Sequence, residues 1–277
     1  MRLRKSSLPE GWYPKTKGDI HRFLSEFAAG AETRTAGVVI APHAGWSYSG
    51  RIAARAVACL DAKAETVAVI GGHLPGGGEP LFAGEDAAET PLGDMPMDAE
   101  LRASLIEEIG GREDRFPDNT VEVLLPMARF FLPGASLLWL RLPADMSAFE
   151  AGGALAAAAG RLGRRLAVIA SADLTHYGLG YGFAPMGAGP EALRWVREVN
   201  DRRLIDAIES GDPAAVLERA SAESSTCSAG AVLGAMGFAR ATGAGAARLV
   251  EYGTSADAEG AGVPGSFVGY AGFAFSA

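Results

Sequence analysis

The sequence predicts an α/β fold: one three-layer α/β/α domain over residues 1–277, built on a mixed, largely parallel central sheet. Three observations carry that reading. Short apolar, β-branched runs stop abruptly at Gly, Pro or Ser, as in Val38-Val39-Ile40-Ala41-Pro42, Val67-Ala68-Val69-Ile70-Gly71 and Ala167-Val168-Ile169-Ala170-Ser171, the pattern of strands buried on both faces. Stretches with apolar residues at helical spacing lie between them, so strands and helices alternate. The chain is 48% hydrophobic and 21% charged, enough to bury a large core, and no break in composition divides it.

Each element follows in order. After an arm carrying Trp12-Tyr13-Pro14, Ile20, Phe23, Leu24 and Phe27 share one face of a helix predicted from Gly18 to Phe27, with His21 on its surface. A strand ending before His43, a helix from about Gly50 to Asp61 with Cys59 buried in it, and a strand ending before His73 make a βαβ unit and imply parallel strands. Turn signals from Pro80 to Asp98, chiefly Thr90-Pro91-Leu92-Gly93-Asp94, read as a hairpin excursion, and Ala99 to Ile109 as a helix stopped by Gly110-Gly111. The apolar segment Thr120 to Phe131 fits strand or helix; a helix beginning near Pro126 is favoured, because proline is tolerated in a first turn. Ser136 to Leu142 is a strand, Met146 to Leu162 an alanine-rich helix and Arg165 to Ala170 a strand. Gly178 to Pro190 is a glycine-rich loop long enough for a lid. Helices are expected at Glu191 to Ser210, Pro213 to Ser221 and Cys227 to Thr242, then strands at Ala247 to Tyr252 and Ser266 to Phe275 around a flexible turn at Ser255 to Gly265.

A net charge of -8 and a pI near 5.1 argue against a nucleic-acid surface. The basic cluster Arg2, Arg4 and Lys5 is not followed by the apolar run of a signal peptide, and no stretch is long enough to span a membrane. A soluble, cytoplasmic protein is the expectation. Cys59 and Cys227 are too few for a secreted disulfide framework.

Three of the four histidines, His43, His73 and His176, stand where a strand run ends and glycine or a turn begins. Loops at the carboxyl ends of parallel strands are where ligands bind, so the three should converge on a metal or acid–base site. His43 and His73 with the Cys227 thiolate would offer two nitrogens and a sulfur, suited to Zn(II) or Fe(II). Asp173 in place of Cys227 would give the two-histidine, one-carboxylate set of non-haem iron oxygenases, and the residue pattern leaves both open. Asp173 and His176, three apart, would share a face on a helical turn, one as ligand and the other as base; Asp173 fits a helix N-cap equally well. Cys227 opens a helix, where a thiol pKa is lowered. Tyr48 and the carboxylate Glu122, set among apolar residues, are candidate substrate contacts. A hydrolase using Ser171 or Ser47 with His176 lacks the nucleophile-elbow motif, and the glycines from Gly71 to Gly78 lack the Lys-Ser/Thr of a phosphate loop.

These segments together resemble the Memo-like family, whose bacterial and archaeal members are named AmmeMemoRadiSam system protein B. The matching residues include Trp12-Tyr13-Pro14, Pro42-His43-Ala44-Gly45, Gly71-Gly72-His73, Thr90-Pro91-Leu92-Gly93, Val121-Glu122-Val123-Leu124-Leu125-Pro126, Asp173-Leu174-Thr175-His176-Tyr177 and Thr226-Cys227, in family order over nearly the whole chain. The resemblance implies a fold similar to class III extradiol dioxygenases and a metal held by His43, His73 and Cys227, with Fe(II) first and copper or zinc as alternatives. It places His176 at the acid–base position with Asp173 beside it. It also implies a small-molecule or peptide substrate, and radical-SAM and AMMECR-like proteins as partners. Two positions depart from the family pattern: Asp118-Asn119-Thr120 stands where Glu-His-Ser is usual, and Ser228 follows Cys227 where glycine is common.

Overall fold

A computed structural model describes residues 1–28, 35–258 and 262–275. In chain order it contains β1 (Leu3–Arg4), α1 (Lys17–Ala28), β2 (Val38–Ala41), α2 (Trp46–Val57), β3 (Thr66–Gly71), β4 (Leu81–Phe82), β5 (Ala87–Ala88), β6 (Met95–Pro96), α3 (Ala99–Ile109) and β7 (Arg112–Glu113). There follow α4 (Asn119–Glu122), α5 (Leu125–Phe131), β8 (Ser136–Arg141), α6 (Ser147–Arg161), β9 (Leu166–Ser171), β10 (His176–Gly178), α7 (Pro190–Trp195), α8 (Asp201–Glu209), α9 (Pro213–Glu223), α10 (Ala229–Thr242), β11 (Ala247–Thr254) and β12 (Ser266–Phe275). Among the described residues no helix is long and apolar enough to cross a membrane.

The centre is a mixed sheet in the order β10-β12-β2-β9-β3-β8-β4-β7, with β11 paired to β12. Its middle four strands, β2, β9, β3 and β8, are parallel. β12 runs antiparallel to β2, β10 and β11. Both faces of the parallel strands are apolar because both are covered. Val38, Ile40, Ala68, Ile70, Leu138, Leu140, Val168 and Ala170 face the layer of α3, α6, α8, α9 and α10. The intervening Val39, Ala41, Val67, Val69, Leu137, Trp139, Ala167 and Ile169 face α1, α2, α4 and α5. The period-two side-chain alternation of a strand thus becomes the three-layer architecture expected from the sequence.

Several local expectations are completed or corrected by tertiary partners. β2 and β3 are parallel as expected, and β9, whose place the sequence left open, lies between them. α2 begins at Trp46, earlier than predicted, because the Trp46 N–H finds the Trp12 carbonyl at 2.8 Å and so needs no local cap. The helix expected from Pro126 is α5, with the proline in its first turn, and a further short helix, α4, precedes it. Asp118 caps α4 by accepting from Thr120 N, and the Val123 carbonyl between the two helices accepts from Trp46 Nε1 at 3.1 Å. The predicted excursion does contain an antiparallel pair, β5–β6, which β1 joins, while β4 adds to the main sheet. The Gly178–Pro190 loop folds back on itself, with Gly178 and Phe183 exchanging backbone hydrogen bonds and Tyr177 Oη donating to the Gly187 carbonyl. Residues 259–261 of the turn expected before β12 lie outside the described residues.

Candidate metal centre

β2, β9 and β3 are neighbours and end at one edge of the sheet, so the residues just past them meet: His43 after β2, Asp173 and His176 after β9, His73 after β3. Cys227 arrives from the helical layer, two residues ahead of α10. One donor atom each from His43, His73 and Cys227 lies within 4.8 Å of the others. Cys227 Sγ is 3.3 Å from His43 Nε2, and the two imidazole rings stand nearly perpendicular, with centroids 5.0 Å apart.

Each imidazole is oriented through its other nitrogen. His43 Nδ1 is 2.9 Å from Ser171 Oγ, and the His43 backbone N–H donates to Asp173 Oδ1 at 2.7 Å. His73 Nδ1 is 3.1 Å from Asp118 Oδ2. The buried Arg141 then supports Asp118 at 3.2 Å, and its Nε donates to the Gly72 carbonyl at 3.0 Å. Occupying Nδ1 of both rings leaves each Nε2 for an ion, the usual arrangement of metal-binding histidines. His73 sits at φ +57°, a left-handed conformation that a non-glycine residue adopts at a cost. Gly72 beside it has no room for a Cβ, which would run into Ser228. Two nitrogens and a polarisable sulfur converging with their back sides anchored fit a divalent transition ion.

The charges reinforce one another. Burial opposes the His43 imidazolium, but the Asp173 carboxylate and Cys227 outweigh it and raise the His43 pKa above the ordinary histidine value. Burial also opposes protonated His73, yet its hydrogen bonds to Asp118 and Cys227 push it up to about 10. Burial would raise the Cys227 thiol; the facing histidines overcome this and hold it well below the usual thiol range. Asp118 is drawn down to about 2 against its burial by His73, Thr120 and Arg141. Asp173 is raised, chiefly by burial. An ion at this position would replace the protons on the histidines as partner of the thiolate.

Asp173 and His176 come together, though not on a helical turn, and Asp173 is no N-cap. His176 opens β10, paired with Val268, while the turn before it is held by Leu174 N donating to the Gly269 carbonyl. Asp173 Oδ2 is 3.8 Å from His43 Nε2 and 4.0 Å from His176 Nε2. Among the described residues, the buried His176 Nε2 has no hydrogen-bond partner. A cavity of about 560 Å³ opens onto His43, His73, Asp173 and His176, with Tyr48 and Tyr181 on its wall. Tyr48 therefore lies where a ligand contact is expected.

Glu122 is not brought to this cavity. It is buried and accepts from Ser7 N, Ser7 Oγ, Leu8 N and Tyr13 Oη, fastening the N-terminal arm whose residues Glu10, Gly11 and Trp12 form part of the cavity wall. The Ser171 hydroxyl faces His43 rather than His176, so the hydrolase pairing is not formed there. Sequence reasoning missed Asp118 and Arg141 as supports of His73. A charge closing the buried run Leu137-Leu138-Trp139-Leu140-Arg141 was the available signal. Asn119, standing where the family usually has histidine, donates through Nδ2 to the His43 carbonyl at 3.2 Å.

Comparison with known proteins returns one family over nearly the whole length. The family model described as Memo-like protein matches residues 4–274. A MEMO1 family protein of Methanosarcina barkeri is 28% identical over 274 residues, covering 93% of this chain and 95% of its own. Another, from Methanothermobacter thermautotrophicus, is 32% identical and covers 88% of this chain and 86% of its own. Among solved structures, an uncharacterized protein of Escherichia coli K12 aligns with a TM-score of 0.49 at 12% identity, covering 86% of this chain and 99% of that one.

Proposed function

The chain belongs to the Memo-like family, and from that premise we propose that it binds a divalent transition metal through His43, His73 and Cys227 and uses it in redox or oxygen chemistry on a small or peptide-borne substrate. The convergence of those three donors within 4.8 Å carries the reading. Fe(II) is the proposed ion, with copper or zinc as alternatives; when bound it supplies electron transfer and open positions for a chelating substrate.

The protein's own residues divide the remaining work. His176, whose buried Nε2 lies 4.0 Å from the Asp173 carboxylate, takes up or delivers a proton at a group bound in the cavity. Asp173 stabilises the imidazolium so formed. Tyr48 and Tyr181, both about half exposed on the cavity wall, offer ring faces and hydroxyls to the substrate. The same two exposed rings favour a second reading, a non-catalytic module that grips a peptide or partner protein in this cavity.

Anaerobic purification followed by elemental analysis separates the two. The metal reading expects close to one transition ion per chain in the wild type and loss of it in His43→Ala, His73→Ala and Cys227→Ala. Protein that neither carries nor takes up such an ion would leave the binding module.

A further inference from the structure

Behind the metal centre, two neighbouring polar residues are buried where packing alone would favour apolar ones. Asn200 and Asp201 are both fully buried at the junction of α7 and α8. The helix widens there into a π-turn over Val196–Asn200, in which the Asp201 N–H reaches back five residues to the Val196 carbonyl. Such single wide turns are rare and frequently lie at functional sites. The wider turn rotates successive side chains through a smaller angle, so both residues reach the same loop.

That loop is the one carrying Asp173 and His176. Thr175 donates from N and Oγ1 to Asp201 Oδ1, and its Oγ1 accepts from Asn200 Nδ2 at 2.9 Å. The other hydrogen of the Asn200 amide goes to the Glu223 carbonyl at 3.0 Å, on the segment that leads into Cys227. Among the described residues Asn200 Oδ1 has no partner, so the two donor bonds fix the amide. Asp201 is held from its far side by Tyr252 Oη at 2.7 Å. Two further bonds join the two loops directly, from Thr226 Oγ1 to the Asp173 carbonyl at 2.6 Å and from Cys227 Sγ to the same carbonyl at 3.8 Å. The π-turn therefore clamps the loop of His176 to the loop of Cys227.

We infer that Asn200 and Asp201 are positioning residues that set the stance of Cys227 relative to Asp173 and His176, acting through the Thr175 hydroxyl. The inference rests on the reading of Cys227 as a metal ligand. It goes beyond that reading by assigning the alignment of the sulfur to a helix that touches neither the ion nor the cavity.

The test is a titration of the full chain with Co(II), read by the near-ultraviolet thiolate-to-Co(II) charge-transfer band. Thr175→Val keeps the shape of the residue and deletes the hydroxyl; Thr175→Ser restores it. Leu204→Ala, three residues along α8 in the core, controls for general destabilisation. Thr175→Val is expected to bind Co(II) roughly tenfold to a hundredfold more weakly with an altered band, the range for losing a partner behind a metal ligand. Thr175→Ser and Leu204→Ala should keep the wild-type band and affinity. If Thr175→Val binds as Thr175→Ser does, or Leu204→Ala weakens binding as much as Thr175→Val, the inference is overturned while the metal reading stands. If Thr175→Val fails to fold by circular dichroism, Asn200→Ser replaces it with the same two outcomes. A wild type with no thiolate band sinks the metal reading itself, and this inference with it.

Discussion

Replacing Glu122 by Gln tests whether the N-terminal arm is a dependent wall of the cavity. The carboxylate receives donors from Ser7 N at 2.9 Å, Ser7 Oγ at 2.6 Å, Leu8 N at 2.9 Å and Tyr13 Oη at 3.0 Å. Glutamine keeps the shape but offers one acceptor oxygen, and turns an NH2 toward groups that are themselves donors. A hydrogen bond to a charged group contributes about 1 kcal/mol more than a neutral one, and a stranded donor costs about 1–3 kcal/mol unless water reaches it. The Ser7 and Leu8 amides can be rehydrated once the arm lifts, so the net loss should be about 3 kcal/mol. At 1.4 kcal/mol per decade this raises the population of arm-open molecules about a hundredfold. Amide hydrogen exchange at Ser7 and Leu8 should speed up by about that factor in Glu122→Gln. Protection at those two amides within about threefold of wild type would refute the reasoning, because four bonds to one buried charge could not then be what holds the arm.

Two further predictions concern the interior. Burial raises the Asp201 pKa to about 6, even against the hydrogen bonds from Thr175 and Tyr252 that favour its charged form. The folded state therefore holds a proton that the unfolded state releases near 3.8. Stability from this group falls as pH rises from about 4 to about 6, by about 3 kcal/mol, and stays low above that. Urea unfolding at pH 4.5 and 7 should show the stability difference between wild type and Asp201→Asn moving toward the variant at pH 7; a pH-independent difference would be the contrary result. Gly72→Ala should cost about 1–3 kcal/mol by overpacking, since the new Cβ meets Ser228. Ser228→Gly in the same chain should recover part of the loss, as positive coupling in a double-mutant cycle, and strict additivity would argue against the contact.

The parallel core was legible because strands covered on both faces leave an uninterrupted apolar run, and Val38 to Ala41 or Val67 to Gly71 can be little else. The meeting of His43 and His73 was legible by the same logic, since parallel strands deliver their carboxyl-end loops to one edge. What escaped was set by partners distant in sequence. Nothing local to Trp46 announces that the Trp12 carbonyl will accept its N–H and start the helix early. Glu122 looked like a ligand contact because a carboxylate among apolar residues needs donors; its donors came from an arm over a hundred residues upstream. Asp173 and His176 were placed on a helix because spacing three suits one, whereas a turn fastened to Gly269 brings them together as well.

The geometry at His73 argues for a site, rather than simple packing, at this edge of the sheet. Three features there work against stability: a left-handed histidine, a thiol held as thiolate under burial, and a buried carboxylate, Asp173, beside it. A fold selected only for stability would replace them, because apolar residues of similar volume pack as well without desolvated charge. Instead the surroundings are arranged to hold them. Arg141 is buried at the end of β8 and grips the Gly72 carbonyl and Asp118 at once, and Gly72 has no side chain where Ser228 approaches. Asp118 fixes His73 from one side, as Ser171 fixes His43 from the other. Strain at His73 and charge at Cys227 and Asp173, with each support outside the donor set, are what a site preorganised for an ion requires.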